Sequence, residues 1–290
     1  MGATGTPASG LIDELVRRGW SPPPVVDGVY RPAGTTDPAA VSYPGSGIDV
    51  LASHAEGSWW TAHRAAWAAR ELADHGIRSL LDVGAGSGSM AVALRGGGVD
   101  VVGVEPHPHG AAVIAAAGVS AVCGGLADLA LPDGSVPAIG FFDVLEHLPD
   151  PVDVLREAAR VLRPDGVVLL AVPAYRWLWS SEDEHAGHFR RYDRAMVRAE
   201  ARAAGLLVVR TEHLFASLVP LVTAARRVPY LLGRRPDPAA VDRTVGRQLD
   251  PPAVLARAAG MVLGIENRIA RVAPLPVGTS LVAVLRRPSR

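Results

Sequence analysis

The stretch Leu80–Leu94, LLDVGAGSGSMAVAL, decides the fold. A short apolar run carries Asp82 near its end, Gly84, Gly86 and Gly88 follow at alternate positions, and an apolar, helix-forming segment begins at once. Glycine there allows a tight strand-to-helix turn and lets a ligand lie against the backbone with no side chain between them. Outward from the turn, VDVVGVE is a second apolar run ending in Glu105, about 20 residues on, where a carboxylate can accept both hydroxyls of a ribose. A strand before the glycines, a helix after them and an acid beyond point to a nucleoside-binding turn, more than any lone glycine motif would.

The pattern continues along the chain. SAVCG, PAIGFFDVL and GVVLLAVP are third, fourth and fifth apolar runs, continuous in character, as strands covered on both faces are. Between the fourth and fifth, PVDVLREAARVLRPDG places Val152, Leu155, Ala159 and Leu162 on one helical face before PDG ends the helix. Thr61–His75 is Ala-rich and helix-favouring, and Gly76 stops it. Such alternation predicts an α/β fold, a parallel sheet with helices on both faces and ligands beyond the carboxyl ends of its strands. LLVVRTEHL and GTSLVAVLRR are two later strand candidates. Residues 1–47, rich in Pro, Gly, Ser and Thr with one short helical candidate in LIDELVRRG, read as a loosely ordered arm, and 48–290 as a single domain.

Composition excludes several classes. The 290 residues carry 29 basic and 29 acidic side chains, so nothing points to nucleic acid as a partner. All the basic residues are arginine, which removes Schiff-base lysine chemistry and a phosphate-gripping P-loop. Residues 1–210 hold 17 Arg against 24 acids and residues 212–290 hold 12 Arg against 5, so the C-terminal part is the basic one. A single cysteine, Cys123, fits a reducing compartment without disulfides. No signal-peptide layout opens the chain, and its longest apolar stretch falls far short of the roughly 20 residues that span a bilayer. The expectation is a soluble, cytoplasmic protein, at most attached to a membrane.

The spacing of the glycines narrows the ligand. A dinucleotide fingerprint is G-x-G-x-x-G facing a pyrophosphate, whereas here Ser89 stands at its last glycine position and Asp82 precedes the first glycine. An acid there is unhelpful to a pyrophosphate and suits an ammonium group, which S-adenosylmethionine carries on its methionyl end. LLDVGAGSG, VVGVEP, FFDVLEHLPDPVDVLREAARVLRPDG and VVLLAVPAYRWLWSSEDEHAGHFRRYD resemble the class I S-adenosylmethionine-dependent methyltransferases, in the subgroup with a D-V-L-E-H segment after the fourth strand. GSWWTAHR is similar to an aromatic pair ahead of the first strand in one branch of that group.

The resemblance implies a Rossmann-like, seven-stranded, mostly parallel sheet whose antiparallel seventh strand, GTSLVAVLRR, enters next to the fifth. Residues 214–277 then become a mostly helical insertion between the last two strands. Its arginines beside LFASLVPLV and VPYLLG form either a solvated cap or a peripheral membrane contact. The resemblance also implies that Asp82, Gly84, Ala85, Gly86 and Gly88 hold the methionine part of the cofactor, Glu105 and Pro106 the ribose, Leu126 the adenine, and Asp143 the cofactor's reacting end. The third-strand loop departs from the pattern, with Gly125 where an acid is usual and Asp128 three residues later.

Chemistry falls to three groups. In some relatives with a glutamate in place of Asp143, the trio at Asp143, Glu146 and His147 holds a divalent ion; the reading here is that no metal is bound and His147 faces the cavity. His107 and His109 belong to an exposed turn. SEDEHAGHFRRYD, Ser181–Asp193, follows the fifth strand and is expected to form a lid that handles the acceptor. Trp177 and Trp179 would wall its cavity, with Trp59, Trp60 and His185 as further acceptor contacts, and the three-residue spacing of His185 and His188 could place both on one helical face. His188 and His147 are the candidate bases, with Tyr192 and Arg190 as orienting groups. The function implied is methyl transfer to a small-molecule, glycan or lipid-linked acceptor, by oxygen or nitrogen attack. The alternatives are a cofactor-binding protein that does not methylate and a nicotinamide-dependent oxidoreductase.

Overall fold

The structure, a computed structural model, describes residues 9–34, 58–237, 241, 253–270 and 275–288. Its strands, in chain order, are β1 (Val25–Val26), β2 (Val29–Tyr30), β3 (Ser79–Val83), β4 (Asp100–Glu105), β5 (Ser120–Cys123), β6 (Val136–Phe142), β7 (Leu162–Pro173), β8 (Leu207–Leu214) and β9 (Ser280–Arg286). They form one sheet in the order β1-β2-β5-β4-β3-β6-β7-β9-β8. The five apolar runs are β3 to β7, mutually parallel, and the expected antiparallel strand is β9, between β7 and β8 and antiparallel to both. The order reverses at β3, so β3, β4 and β6 place their carboxyl ends around one crevice.

Alternate side chains of each strand feed opposite faces, which is why two cores exist. On one face Leu81, Val102, Ile139, Val168 and Ala283 pack against α1 (Gly10–Arg17), α5 (Pro151–Val161) and α7 (Arg194–Ala203). On the other, Leu80, Val101, Ala138, Leu169 and Val284 pack against α2 (Trp59–Asp74), α3 (Ser89–Gly96) and α4 (Pro108–Ala116). Among the later helices, α6 (Ser181–His185) follows β7, and α8 (Ala253–Ala270) adds Leu263 to the second core.

Two expectations change here. The sheet has nine strands rather than seven because part of the supposed arm belongs to it. In α1, Leu11, Ile12 and Leu15 are buried, the Ser9 hydroxyl donates to Asp100 Oδ1 at 3.0 Å, and Leu11 N–H donates to Asp100 Oδ2 at 2.6 Å. Trp20 Nε1–H donates to the Leu129 carbonyl at 2.7 Å. The β1–β2 hairpin pairs with β5 and covers what would be an open sheet edge. Residues 9–34 are therefore not loose, while 1–8 and 35–57 lie outside the described residues. The α5 stripe also differs, since Pro151, Leu155, Ala158 and Val161 are its buried positions, and Leu162 already opens β7 opposite Val136.

Between β8 and β9 the chain makes a helical run over 219–231, π-helical at Thr223–Arg227, and then α8. Glu266 on α8 accepts from Ala216 N–H, Ser217 N–H and the Ser217 hydroxyl at 3.0, 3.0 and 2.9 Å, fastening α8 to the start of the insertion. Leu214 belongs to β8, and the parts of the insertion at 238–240, 242–252 and 271–274 lie outside the described residues. No helix among the described residues is long and apolar enough to cross a membrane.

Candidate functional site

The turn after β3 works through left-handed backbone. Gly84, Gly86 and Gly88 have φ of +74°, +58° and +78°, where a Cβ is strained. A Cβ on Gly84 would lie 2.7 Å from Val144 Cγ2 and one on Gly88 2.9 Å from Ile114 Cγ1, so those two glycines serve packing. Beside Gly86 a Cβ would meet nothing within 4 Å. Open space faces this glycine alone of the three. The turn is tied to its neighbour strand, since Gly84 N–H and Ala85 N–H both donate to the Val104 carbonyl, at 2.8 and 3.1 Å.

Glu105, at the end of β4, is buried and accepts from Gly86 N–H through Oε2 and from His107 N–H through Oε1, each at 2.8 Å. Burial pushes its carboxyl up, and the two backbone donors oppose the shift. Asp82 is more deeply buried, and its Oδ2 has no hydrogen-bond partner. Burial, then the charge of Glu105, raises its pKa to about 7, against the pull of Arg64. Pro106 is half-buried beside Glu105. Leu126 is buried at the start of the loop after β5, and the Asp128 carboxylate turns back onto that loop by accepting from Gly125 N–H at 2.7 Å.

Arg64 was missed as a site residue although GSWWTAHR contains it. Only 4% of its side chain is exposed, and Nη1 donates to Asp143, which stands just past β6 at φ +57°. Its Nε and Nη2 have no hydrogen-bond partner. The available signal was an arginine on the buried side of an Ala-rich helix, in line with Ala68 and Leu72. An orphaned carboxylate oxygen at Asp82 and an orphaned guanidinium edge at Arg64 are complementary to a zwitterion such as the methionyl end of S-adenosylmethionine, and the space at Gly86 admits its body.

Past Asp143 the chain supplies Glu146 and His147. Glu146 is fully buried with neither carboxylate oxygen hydrogen-bonded, and burial, then the charge of Asp143, drives its carboxyl well up. Burial, then the neighbouring His188, drives His147 down to about 3. His188 arrives from the Ser181–Asp193 segment, with its ring 4.7 Å from that of His147 at an interplanar angle of 77°. Its Nδ1 lies 2.8 Å from Asp183 Oδ1. Asp183 in turn accepts from Arg191 Nε–H at 2.7 Å and from Ser180 N–H at 2.8 Å. Burial opposes ionisation of Asp183, but His188 and Arg191 outweigh it and hold its pKa at about 2. Phe189 N–H donates to the Glu146 carbonyl at 2.8 Å, so the Ser181–Asp193 segment is fastened to the end of β6.

The other expected acceptor residues divide between a cavity and the core. Trp177, Trp179 and Arg190 line a cavity of about 1120 Å³ with Phe189, Arg227 and Tyr230. Arg190 donates to the Leu148 and Pro149 carbonyls at 3.0 and 2.7 Å. Tyr192 is 1% exposed in the core beneath the sheet, where burial and then Glu200 raise its phenol, so it orients nothing in the cavity. Trp59 and Trp60 do not line that cavity either. Trp60 stacks on Phe215 at 3.9 Å and 5°, with Trp59 edge-on to both, because the apolar start of the insertion folds back over α2. His185 ends α6, and Gly187 at φ +71° turns the chain before His188, so the two histidines share no helical face.

A family model described as a methyltransferase domain matches residues 45–211. An uncharacterized methyltransferase of Mycobacterium sp. (strain JLS) is 39% identical over 107 residues, 36% of this chain and 42% of that protein. One of Mycobacterium leprae (strain TN) is 34% identical over 136 residues, 44% of this chain and 50% of that protein. The chain thus spans about half the length of the curated relatives it matches. Among solved structures, Haemonchus contortus phosphoethanolamine N-methyltransferase 2 in complex with S-adenosyl-L-methionine superposes with a TM-score of 0.53 over 86% of this chain and 58% of that one. Its complex with phosphomonomethylethanolamine and S-adenosylhomocysteine gives 0.52 over 86% and 59%. At 16% and 17% identity these likenesses concern the fold.

Proposed function

The chain belongs to the class I S-adenosylmethionine-dependent methyltransferases, and from that premise we propose that it methylates an oxygen or nitrogen nucleophile on a small-molecule, glycan or lipid-linked acceptor. Bound S-adenosylmethionine supplies a sulfonium methyl and a neutral leaving group. The chain therefore needs no acid; its task is to align, to desolvate and, where the nucleophile arrives protonated, to remove a proton. The observation that carries the cofactor assignment is the cradle itself, with open backbone at Gly86 between the orphaned Asp82 oxygen and the orphaned Arg64 donors. Asp82 would take the ammonium, Arg64 the carboxylate and Glu105 the ribose hydroxyls, its oxygens having lone pairs beyond those given to Gly86 and His107.

For the acceptor, Trp177, Trp179 and Phe189 offer apolar surface, while Arg176, Arg190 and Arg227 offer charge that suits an anionic group. Asp183 fixes the His188 ring so that its other nitrogen is the basic atom, beside Glu146 and His147 and next in sequence to Phe189 of the pocket wall. This is where the chain concentrates the means of handling a proton. A lipid-linked acceptor, met through peripheral membrane contact, is supported by the exposed Leu221, Leu231, Leu232, Met261 and Ile265 in an insertion rich in arginine.

The test is to supply S-[methyl-³H]adenosylmethionine with panels of hydroxylated, amino and polyprenyl-linked acceptors and to follow labelled product by mass. Product with any one panel is expected. Cofactor binding without product across all panels would favour a non-methylating role. Cosedimentation with phosphatidylglycerol vesicles, set against phosphatidylcholine vesicles, tests the membrane contact, and equal recovery with both would remove it.

A further inference from the structure

The loop after β5 is poor in side chains for an adenine ring. Its acid, Asp128, turns back onto Gly125 N–H, and Leu126 is buried in the core. The next strand across the sheet is β2, from the N-terminal hairpin. It runs parallel to β5, with Val29 opposite Ala121 and Tyr30 opposite Val122, so its carboxyl end lies on the ligand side of the sheet. That register sets Arg31 beside Cys123, which is itself paired with Glu105 of β4. Extended pairing reaches this far, since Arg31 N–H donates to the Pro24 carbonyl of the hairpin at 2.8 Å. Side chains alternate along a strand. Val29 and Cys123 belong to the core under α2, α3 and α4 while Tyr30 packs against the other, so Arg31 projects on the Cys123 side. Glu105 projects there too, because a Cβ on Gly110 of α4 would lie 2.8 Å from its Cγ. Glu105, Cys123 and Arg31 thus form a row on one face, about 4.8 Å from strand to strand. Burial raises the Cys123 thiol, and the nearby charge of Arg31 opposes the shift.

We propose that Arg31 completes the adenine end of the cofactor site, its planar guanidinium lying against the ring of a nucleoside whose ribose Glu105 holds. The inference rests on the reading of Glu105 as the ribose acid. The order across the sheet carries it: the glycine turn after β3 takes the methionyl end, Glu105 on β4 the ribose, and the base falls over β5 and β2. Arg31 is half-buried, its Nε has no hydrogen-bond partner, and its guanidinium pairs with no carboxylate among the described residues. A guanidinium in that condition is suited to an aromatic face, because it is delocalised, weakly hydrated and keeps donors at its edge for ring nitrogens. The hairpin then has a second task besides covering the sheet edge.

Methylthioadenosine is the probe, because it keeps adenine and ribose, is uncharged and lacks the amino-acid end. Calorimetry compares it with S-adenosylhomocysteine in wild type, Arg31→Met and Arg64→Met. Arg31→Met preserves bulk and should weaken both ligands alike, by about 5-fold or more. Arg64→Met should weaken S-adenosylhomocysteine and leave methylthioadenosine within about twofold. Amide exchange at Val29 and Tyr30 should keep its wild-type rate in Arg31→Met, which a loosened hairpin would not allow. Arg18→Ala, at an exposed position just past α1, is the control and should leave both affinities unchanged. Methylthioadenosine affinity within about twofold of wild type in folded Arg31→Met, a loss confined to S-adenosylhomocysteine, or faster exchange across β2 would each overturn the role of Arg31. In all three cases wild-type cofactor binding, and the methyltransferase reading with it, would stand. Wild type that binds neither ligand would remove both.

Discussion

The Asp82 carboxyl makes cofactor affinity depend on pH in a way that can be calculated. With a pKa raised to about 7 by burial and by Glu105, ligand-free Asp82 is about three-quarters ionised at pH 7.5 and only about one-tenth ionised at pH 6. An ammonium placed against it needs the ionised form. S-adenosylmethionine affinity should therefore fall about eightfold from pH 7.5 to pH 6, about 1.2 kcal/mol, and about tenfold more at pH 5. Binding at pH 6 should release close to one proton, which calorimetry in two buffers of different ionisation enthalpy counts directly. The range must stop near pH 7.5, because a free α-amino group titrates at roughly 7.7 to 8.0. Asp82→Asn should bind weakly, by about 1.5 to 3 kcal/mol at pH 7.5, and without the acidic limb. The stability sign is opposite. A carboxyl whose folded pKa lies above its unfolded value favours the ligand-free fold while protonated, and that contribution is lost as pH rises from about 4 to about 7, up to about 4 kcal/mol at this shift. Ligand-free Asp82→Asn should thus match or exceed the wild-type melting temperature at pH 8. A dissociation constant flat within twofold from pH 5.5 to 7.5, or an acidic limb that survives in Asp82→Asn, would refute the reasoning.

Other substitutions separate the remaining roles. Arg64→Met preserves bulk, leaves the partly exposed Asp143 to water, and should weaken S-adenosylmethionine by about 1.5 to 3 kcal/mol by calorimetry; unchanged affinity would place its carboxylate elsewhere. Glu105→Ala should lose a similar amount and also loosen the glycine turn, visible as faster amide exchange at Gly86, whose N–H donor it removes a partner from. His188→Ala should lower methyl transfer by about 10²-fold or more while S-adenosylmethionine affinity stays within about twofold. Loss of cofactor binding in that folded variant would mean that the lid closes on the cofactor as well.

What could be read from the sequence was what the chain encodes locally. Asp82, the alternate glycines and Glu105 follow from one strand-turn-helix unit and the strand after it, and β9 from a clean apolar run. The α1 helix was legible in LIDELVRRG, but its attachment to the sheet was not, because Asp100, which accepts from the Ser9 hydroxyl and from Leu11 N–H, is far along the chain. Arg64 meets Asp143 across 79 positions, a contact that no periodicity announces. His188 was identified as important, but its partner Asp183 is five residues back and its neighbours Glu146 and His147 are some forty residues back, met where the Ser181–Asp193 segment folds onto the end of β6. Tyr192 misled for the opposite reason, and Trp59 and Trp60 pack against Phe215 rather than line the cavity of Trp177 and Trp179. An aromatic near a site in sequence serves packing as readily as recognition, and only the direction of the side chain decides.

The most direct test of the cofactor site is calorimetric titration of S-adenosylhomocysteine into wild type and Gly86→Asn at pH 7.5, with NADH as the comparison ligand. Asparagine tolerates the left-handed backbone at φ +58°, and its Cβ would meet no protein atom within 4 Å while it occupies the open space beside the turn. Wild type should bind one equivalent of S-adenosylhomocysteine at micromolar concentration and no NADH, and folded Gly86→Asn should bind neither. Equal S-adenosylhomocysteine affinity in the folded variant, or wild type that binds NADH in its place, would contradict the account.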